Sequence, residues 1–234
     1  MEIRRSSDKL IILGTASSRD VAPLDDKSFD VWTIGNYAVN CPEIADRATA
    51  VFELHRPGIW QGAIDKLNGI DRPIVMLEEY PQVLKSVRYP IEQITETFYD
   101  AAMGKVLYVT NSVAYMLMLG YVLGYEEFHM YGVHMEHSSE YGHQKPNCEY
   151  YLGYLIAKGK TVVMPDVAKI IRAPYLYGYD EPWQELAALR NDYKKYGDQI
   201  AKAQEQIEQL KADAYRLEGK RDYARMLAQA KGAL

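Results

Sequence analysis

Only two cysteines, Cys41 and Cys148, occur in the 234 residues. Neither belongs to a CxxC pair, so the chain carries no disulfide framework and no thiolate zinc pattern, which predicts a reducing, cytoplasmic compartment. Long hydrophobic runs are missing too. No stretch approaches the roughly 18 apolar residues of a membrane helix, and the short apolar run in the opening MEIRRSSDKLIILG falls below what a signal peptide needs. Positive charge is in deficit. A net charge of -5 argues against a bulk electrostatic grip on nucleic acid, and we expect no nucleic-acid partner. The standard phosphate motifs are lacking as well: Gly14-Thr-Ala-Ser-Ser-Arg-Asp20 is neither GxGxxG nor a P-loop. What is present, 48% hydrophobic and 25% charged residues, describes a globular chain long enough for one domain and an appendage.

Apolar runs and polar turns alternate along the first part of the chain. Lys9 to Leu13 predicts a first strand leading into a turn and a short helix, where Gly14, Thr15 and Ser17 could meet a phosphate through free backbone N–H groups. Asp30 to Asn36 repeats the theme with Gly35 and Asn36 at its end, and Ala50 to His55 does so with Glu53 and His55. Trp60 to Leu67 reads as a helix, Pro73 to Met76 as a fourth strand, and Ile91 to Tyr99 as an amphipathic helix. Thr110, Asn111 and Ser112 then open an apolar helix that Gly124 stops, and Phe128 to Tyr131 forms a brief buried strand that turns at Gly132. Asn147 is expected to cap a helix reaching about Lys158, with Thr161 to Met164 as a last strand. The fold class expected is α/β: a doubly wound, mostly parallel Rossmann-like sheet over residues 1–179, with ligands bound beyond the carboxyl ends of the strands.

Composition changes at Asp180-Glu-Pro182. Beyond it Leu186, Tyr193, Ile200, Ile207 and Ala214 recur every seventh residue, matched by Leu189, Tyr196, Ala203, Leu210 and Leu217. This predicts a helical coiled-coil tail over residues 180–234 and a homo-oligomer formed through residues 186–217, with Gly219 as a candidate break before a shorter returning helix. The heptads leave open dimer against trimer and parallel against antiparallel.

Four stretches carry a resemblance. Ile11-Ile-Leu-Gly-Thr-Ala-Ser-Ser18, Asp30-Val-Trp-Thr-Ile-Gly-Asn36, Thr110-Asn-Ser-Val-Ala-Tyr-Met116 and Leu123-Gly-Tyr-Glu-Glu-Phe-His-Met-Tyr-Gly-Val133 resemble, in order and spacing, the Rossmann-like glycosyltransferase group. That group contains the Campylobacter-type bacterial sialyltransferases and the motility-accessory-factor proteins. The resemblance spans about residues 9–165, and uncharacterised bacteriophage proteins share the layout, which would place the protein in the host cytoplasm. It implies transfer of a sugar from a nucleotide-sugar donor to a hydroxyl acceptor. Gly14, Thr15, Ser17, Asn36, Thr110, Asn111 and Ser112 would then face the nucleotide, and His134 or His143 would be the base.

Other groups near the central strand could join the site: Glu53, His55, Glu136, His137 and Tyr141. The segment from Tyr141 to Tyr150 could form a polar lid. His134-x-x-His137 with Glu136, Glu140 and His143 could instead hold a divalent ion, although no established zinc motif matches, and we expect no resident metal or cofactor. A reading from a different class is a non-catalytic nucleotide-binding or assembly protein that acts through its tail.

Overall fold

The computed structural model describes residues 3–99, 107–136, 138–168, 170–173, 175–179 and 183–231. Leu10, Ile11, Ile12 and Leu13 are all fully buried, because β1 (Lys9–Leu13) is covered on both faces. A strand so placed reads as a continuous apolar run and not as an alternation. Leu10 and Ile12 join the core on one face of the sheet, Ile11 and Leu13 that on the other, as a period of two requires.

Six further strands complete the sheet: β2 (Phe29–Ile34), β3 (Ala50–Glu53), β4 (Ile74–Met76), β5 (Ser86–Arg88), β6 (Glu127–Tyr131) and β7 (Thr161–Val163). Their order is β5-β4-β3-β2-β1-β6-β7, and all the neighbouring pairs run parallel. The chain therefore steps outward from β1 to one edge, then returns to the other side of β1. Between β1 and β6 the direction of winding reverses, the switch point beyond whose strand ends ligands bind in open α/β sheets.

Eight α-helices are described: α1 (Gly35–Asn40), α2 (Pro42–Arg47), α3 (Pro57–Trp60), α4 (Ile64–Asn68), α5 (Ile91–Thr97), α6 (Ser112–Val122), α7 (Ser138–Ala157) and α8 (Trp183–Ala230). The helix α6 is buried almost all round, from Val113 and Ala114 through Met116 to Gly120. It lies so close to the sheet that a Cβ on Gly120 would fall 2.7 Å from the Phe128 ring and 3.0 Å from Leu10. Gly124, at φ +81°, ends the turn that follows it.

The amino end of the sheet is closed by a buried carboxylate. Asp30 accepts the N–H groups of Ser6 and Ser7 at 2.8 and 3.1 Å and the Tyr125 hydroxyl at 2.7 Å. Burial, then that hydrogen bond, holds the Tyr125 phenol well above its ordinary pKa. This network lies at the opposite end of β2 from Asn36 and is structural.

Several expectations are corrected. The helix expected from Trp60 to Leu67 is split into α3, a 3-10 turn at Gln61–Ala63 and α4. The strand β5 went unread, because Ser86, Val87 and Arg88 are only part-buried or exposed and carry no apolar run. Asn147 does not cap a helix: it is fully buried inside α7, which starts at Ser138 and passes through Pro146. The polar lid expected from Tyr141 to Tyr150 is thus helix. Gly219 does not break the tail, because α8 continues for 48 residues.

The chain divides into two compact units, residues 1–172 and 173–234. No helix among the described residues is long and apolar enough to cross a membrane.

Candidate functional site

Where β1 and β6 end, two glycines let the backbones cross. Gly14 N–H donates to Tyr131 O at 2.8 Å and Ala16 N–H to Gly132 O at 2.9 Å. A Cβ on Gly14 would lie 2.3 Å from Gly132 O, and one on Gly132 would lie 2.4 Å from Gly14 O. Gly132 also holds φ +69°, where a side chain is strained. Three residues on, Met135 holds φ +53° without being glycine, a local strain of the kind that collects at binding sites.

These crossings open a cleft of about 460 Å³. Its polar wall comes from Gly14 and Thr15 after β1, Gly35 and Asn36 after β2, His55 after β3, Asn111 and Ser112 at the start of α6, and His134 and Glu136 after β6. Ile34, Phe52, Val113, Val133 and Met135 supply the apolar part. No lysine or arginine lines it among the described residues. An anion here would depend on N–H groups, hydroxyls and the helix dipole.

The start of α6 is suited to that task. Asn111 accepts the Ala114 N–H at 2.9 Å, which satisfies the third residue of the helix. The first two N–H groups, on Ser112 and Val113, have no acceptor within the helix, and both residues line the cleft. Asn111 itself is committed elsewhere. Its Nδ2 donates to Gln144 O at 3.2 Å and Asn147 Oδ1 at 3.0 Å, which clips the start of α6 to α7.

Two imidazoles reach the cleft, each with a partner. His55 Nδ1 lies 2.6 Å from Glu53 Oε1. A carboxylate oxygen only accepts, so Nδ1 carries a proton, and in the neutral ring Nε2 is then the acceptor. Glu53 is buried, and its other oxygen would stand 2.4 Å from a Cβ on Gly35, so that glycine makes room for the carboxylate. The Trp60 indole fixes the His55 backbone by donating to its carbonyl at 3.1 Å. His134 Nε2 lies 2.8 Å from Ser18 Oγ, which also accepts the Gly132 N–H at 2.8 Å. Arg19 braces the same turn by donating to Thr15 O at 2.6 Å.

Ser17, Thr110 and His143 fall outside the cleft wall. Ser17 is exposed; its neighbour Ser18 is the buried hydroxyl that engages His134. Thr110 and His143 are joined to each other, the Thr110 hydroxyl donating to His143 O at 2.8 Å, and His143 is exposed on α7. His143, expected as the base alternatively to His134, is thus placed outside the cleft wall. His137 lies outside the described residues, as do the side chains of Glu140 and Tyr141. Among the described residues no cluster of three or more His, Cys, Asp or Glu is placed to hold a metal ion. Sequence reasoning put Glu53 and His55 only in the margin and missed Ser18. The two-residue spacing Glu53-x-His55 was the available signal, since alternate residues at a strand end share a face.

No family model matches the sequence, and a search of curated proteins gives no match. Solved structures do. One is the sialyltransferase CstII from Campylobacter jejuni in complex with the substrate analogue CMP-3FNeuAc, at 15% identity and TM-score 0.44, covering 72% of this chain and 88% of that one. Another is an apo alpha-2,3-sialyltransferase from Campylobacter jejuni, at 15% identity and TM-score 0.42, covering 83% and 98%. The chemistry of the cleft has to be taken from its own residues. In fold, the chain is similar to these bacterial sialyltransferases.

Proposed function

We propose that the cleft binds a nucleotide-sugar and that the protein transfers the sugar to an acceptor hydroxyl. The observation that carries this is the meeting, in one cleft at the sheet's switch point, of a helix start whose first two residues line the cleft and two partnered histidines. The sequence resemblance of the same turns to the glycosyltransferase group supports it. The nucleotide would lie against Gly14, Thr15 and Asn36, with its phosphate at the N–H groups of Ser112 and Val113 and the Ser112 hydroxyl. As the bond from the anomeric carbon to the phosphate oxygen breaks, that helix start stabilises the charge left on the nucleotide. The acceptor oxygen bonds to the anomeric carbon and gives its proton to a histidine. His55 suits this role, because Glu53 holds its proton on Nδ1 and offsets the imidazolium that forms. His134, oriented by Ser18, would bind the donor or the acceptor on the other wall.

A melting screen against nucleotides and nucleotide sugars comes first. A ligand at 100 times its dissociation constant stabilises by roughly 2.7 kcal/mol, and Asn36→Ala or Ser112→Tyr is expected to abolish the shift. With a donor identified, His55→Gln is expected to lower kcat by about 10²- to 10⁴-fold while donor binding persists. Absence of any nucleotide-dependent shift ends this reading.

The long exposed face of α8 favours a second reading as well, a phage-encoded assembly protein whose tail pairs copies of the chain. Nucleotide binding without turnover would point there. In either reading the two free thiols, Cys41 and Cys148, support a reducing, cytoplasmic setting.

A further inference from the structure

The apolar seam of α8 is uncovered. Leu189, Tyr193, Tyr196, Ile200, Ile207, Leu210 and Leu217 are each at least half exposed, along a helix of 48 residues, about 72 Å at 1.5 Å per residue. Helices of this kind owe most of their stability to packing of the apolar face, and a narrow seam of first and fourth heptad positions fits two strands. We propose that a second copy of this chain covers the seam as an antiparallel two-stranded coiled coil, in the register that sets Ile200 beside the partner's Leu210. This deepens the pairing of tails proposed above.

Charge and side-chain size select the arrangement. In a parallel in-register pair the flanking positions bring Asp213 to the partner's Glu218 and Lys220 to the partner's Arg225. Its core layers would stack Ala203 on Ala203, Ala214 on Ala214 and Arg221 on Arg221. That combines like charges with empty layers, both destabilising. The antiparallel register instead brings Arg190 to the partner's Glu218 and Asp192 to the partner's Lys220, each contact occurring twice by symmetry. Its layers set large against small where Tyr196 meets Ala214 and Ala203 meets Ile207, and Arg221 meets Leu189 instead of a second arginine.

Sliding by one heptad loses this match in either direction. With Ile200 beside Ala203, Arg190 meets Lys211 and Asp192 meets Asp213. With Ile200 beside Leu217, Arg190 meets Arg225 and Ala203 faces Ala214. Of these three registers only the proposed one is free of like-charge contacts at Arg190 and Asp192.

Distances between spin labels on the full chain test the arrangement. In a Cys41→Ser background, single labels at Asn191→Cys and Glu205→Cys occupy outward heptad positions and leave the seam intact. In the proposed register residue 191 is level with residue 219 of the partner, about 42 Å along the axis at 1.5 Å per residue. Residue 205 is level with its own copy. The expected result is a long distance at 191 and a short one at 205. Short distances at both would show a parallel pair and overturn the arrangement while leaving tail pairing intact. Absence of dipolar coupling at both would show a monomer and overturn pairing itself. Charge reversal tests the register: Arg190→Glu and Glu218→Arg are each expected to weaken the dimer several-fold, and the two together to restore it. Failure of the double variant to restore it would overturn the register.

Discussion

In the α/β unit a glycine hydrogen stands where two backbones cross, whereas the tail glycines at 197 and 219 face open space. The same residue type therefore answers to different constraints. At Gly14 and Gly132 each alternative side chain meets a carbonyl fixed by its own strand, so a single position is dictated by distant sequence. Along α8 no single residue is dictated so sharply; a repeat of seven sets the pattern, and in the proposed pair what it meets belongs to another copy. Constraint in the first region is positional, and in the second it is statistical.

Substituting glycine by alanine in both regions would break or sharpen this contrast. The largest effect is expected at Gly14→Ala, where a methyl group is forced against Gly132 O: about 2–4 kcal/mol of lost stability, from overpacking and backbone displacement. Chemical denaturation followed by tryptophan fluorescence would measure it, since Trp32 and Trp60 lie in the cores of that unit. The opposite sign is expected in the tail. Gly197→Ala or Gly219→Ala should stabilise α8 by about 1 kcal/mol each, because alanine is the better helix former and meets nothing, read as a rise in the melting temperature of the helical signal. If both regions responded with the same sign, the distinction would fail.

The smallest effect appears only in alkali. Burial pushes the Cys148 thiol up to about 12 and raises the Tyr89, Tyr125 and Tyr151 phenols as well. A group with a raised folded pKa contributes stability that is complete below its unfolded value, 9.0 for the thiol, and is lost as pH rises toward the folded value. The melting temperature of the α/β unit is therefore expected to fall above about pH 9. At pH 8 a thiol reagent should count only Cys41, with Cys148 reacting once the unit unfolds.

Much of the fold was legible because buried parallel strands announce themselves. β1 to β4, β6 and β7 were read from apolar runs ending in polar turns, and the parallel winding followed from the helices between them. β5 was illegible for the converse reason: it sits at the sheet's edge, where Ser86-Val-Arg88 does not require an apolar run. The start of α7 misled because Gly142, Pro146 and their polar neighbours resemble a loop. Around them the helix carbonyls of His143 and Gln144 take hydrogen bonds from Thr110 and Asn111. The cleft wall was partly legible, since Gly14, Thr15, Asn36, Ser112 and His134 stand where strand ends and a helix start place them. The pairing of Ser18 with His134 was not, because it joins residues 116 apart in sequence. Neither was the commitment of Asn111, whose partners lie on a helix that had been read as a lid.

Pro146 gives α7 a role beyond packing. With no N–H of its own, it leaves the Gly142 carbonyl without its helical donor, and in the same turn the carbonyls of His143 and Gln144 take hydrogen bonds from Thr110 and Asn111. Asn147 completes the clasp from the same turn, accepting the Thr110 N–H and the Asn111 amide at 3.0 Å each. Residues 36 apart in sequence thus form one mechanical piece. Any tilt of α7 would be delivered, as by a lever, to the first residues of α6, which line the cleft.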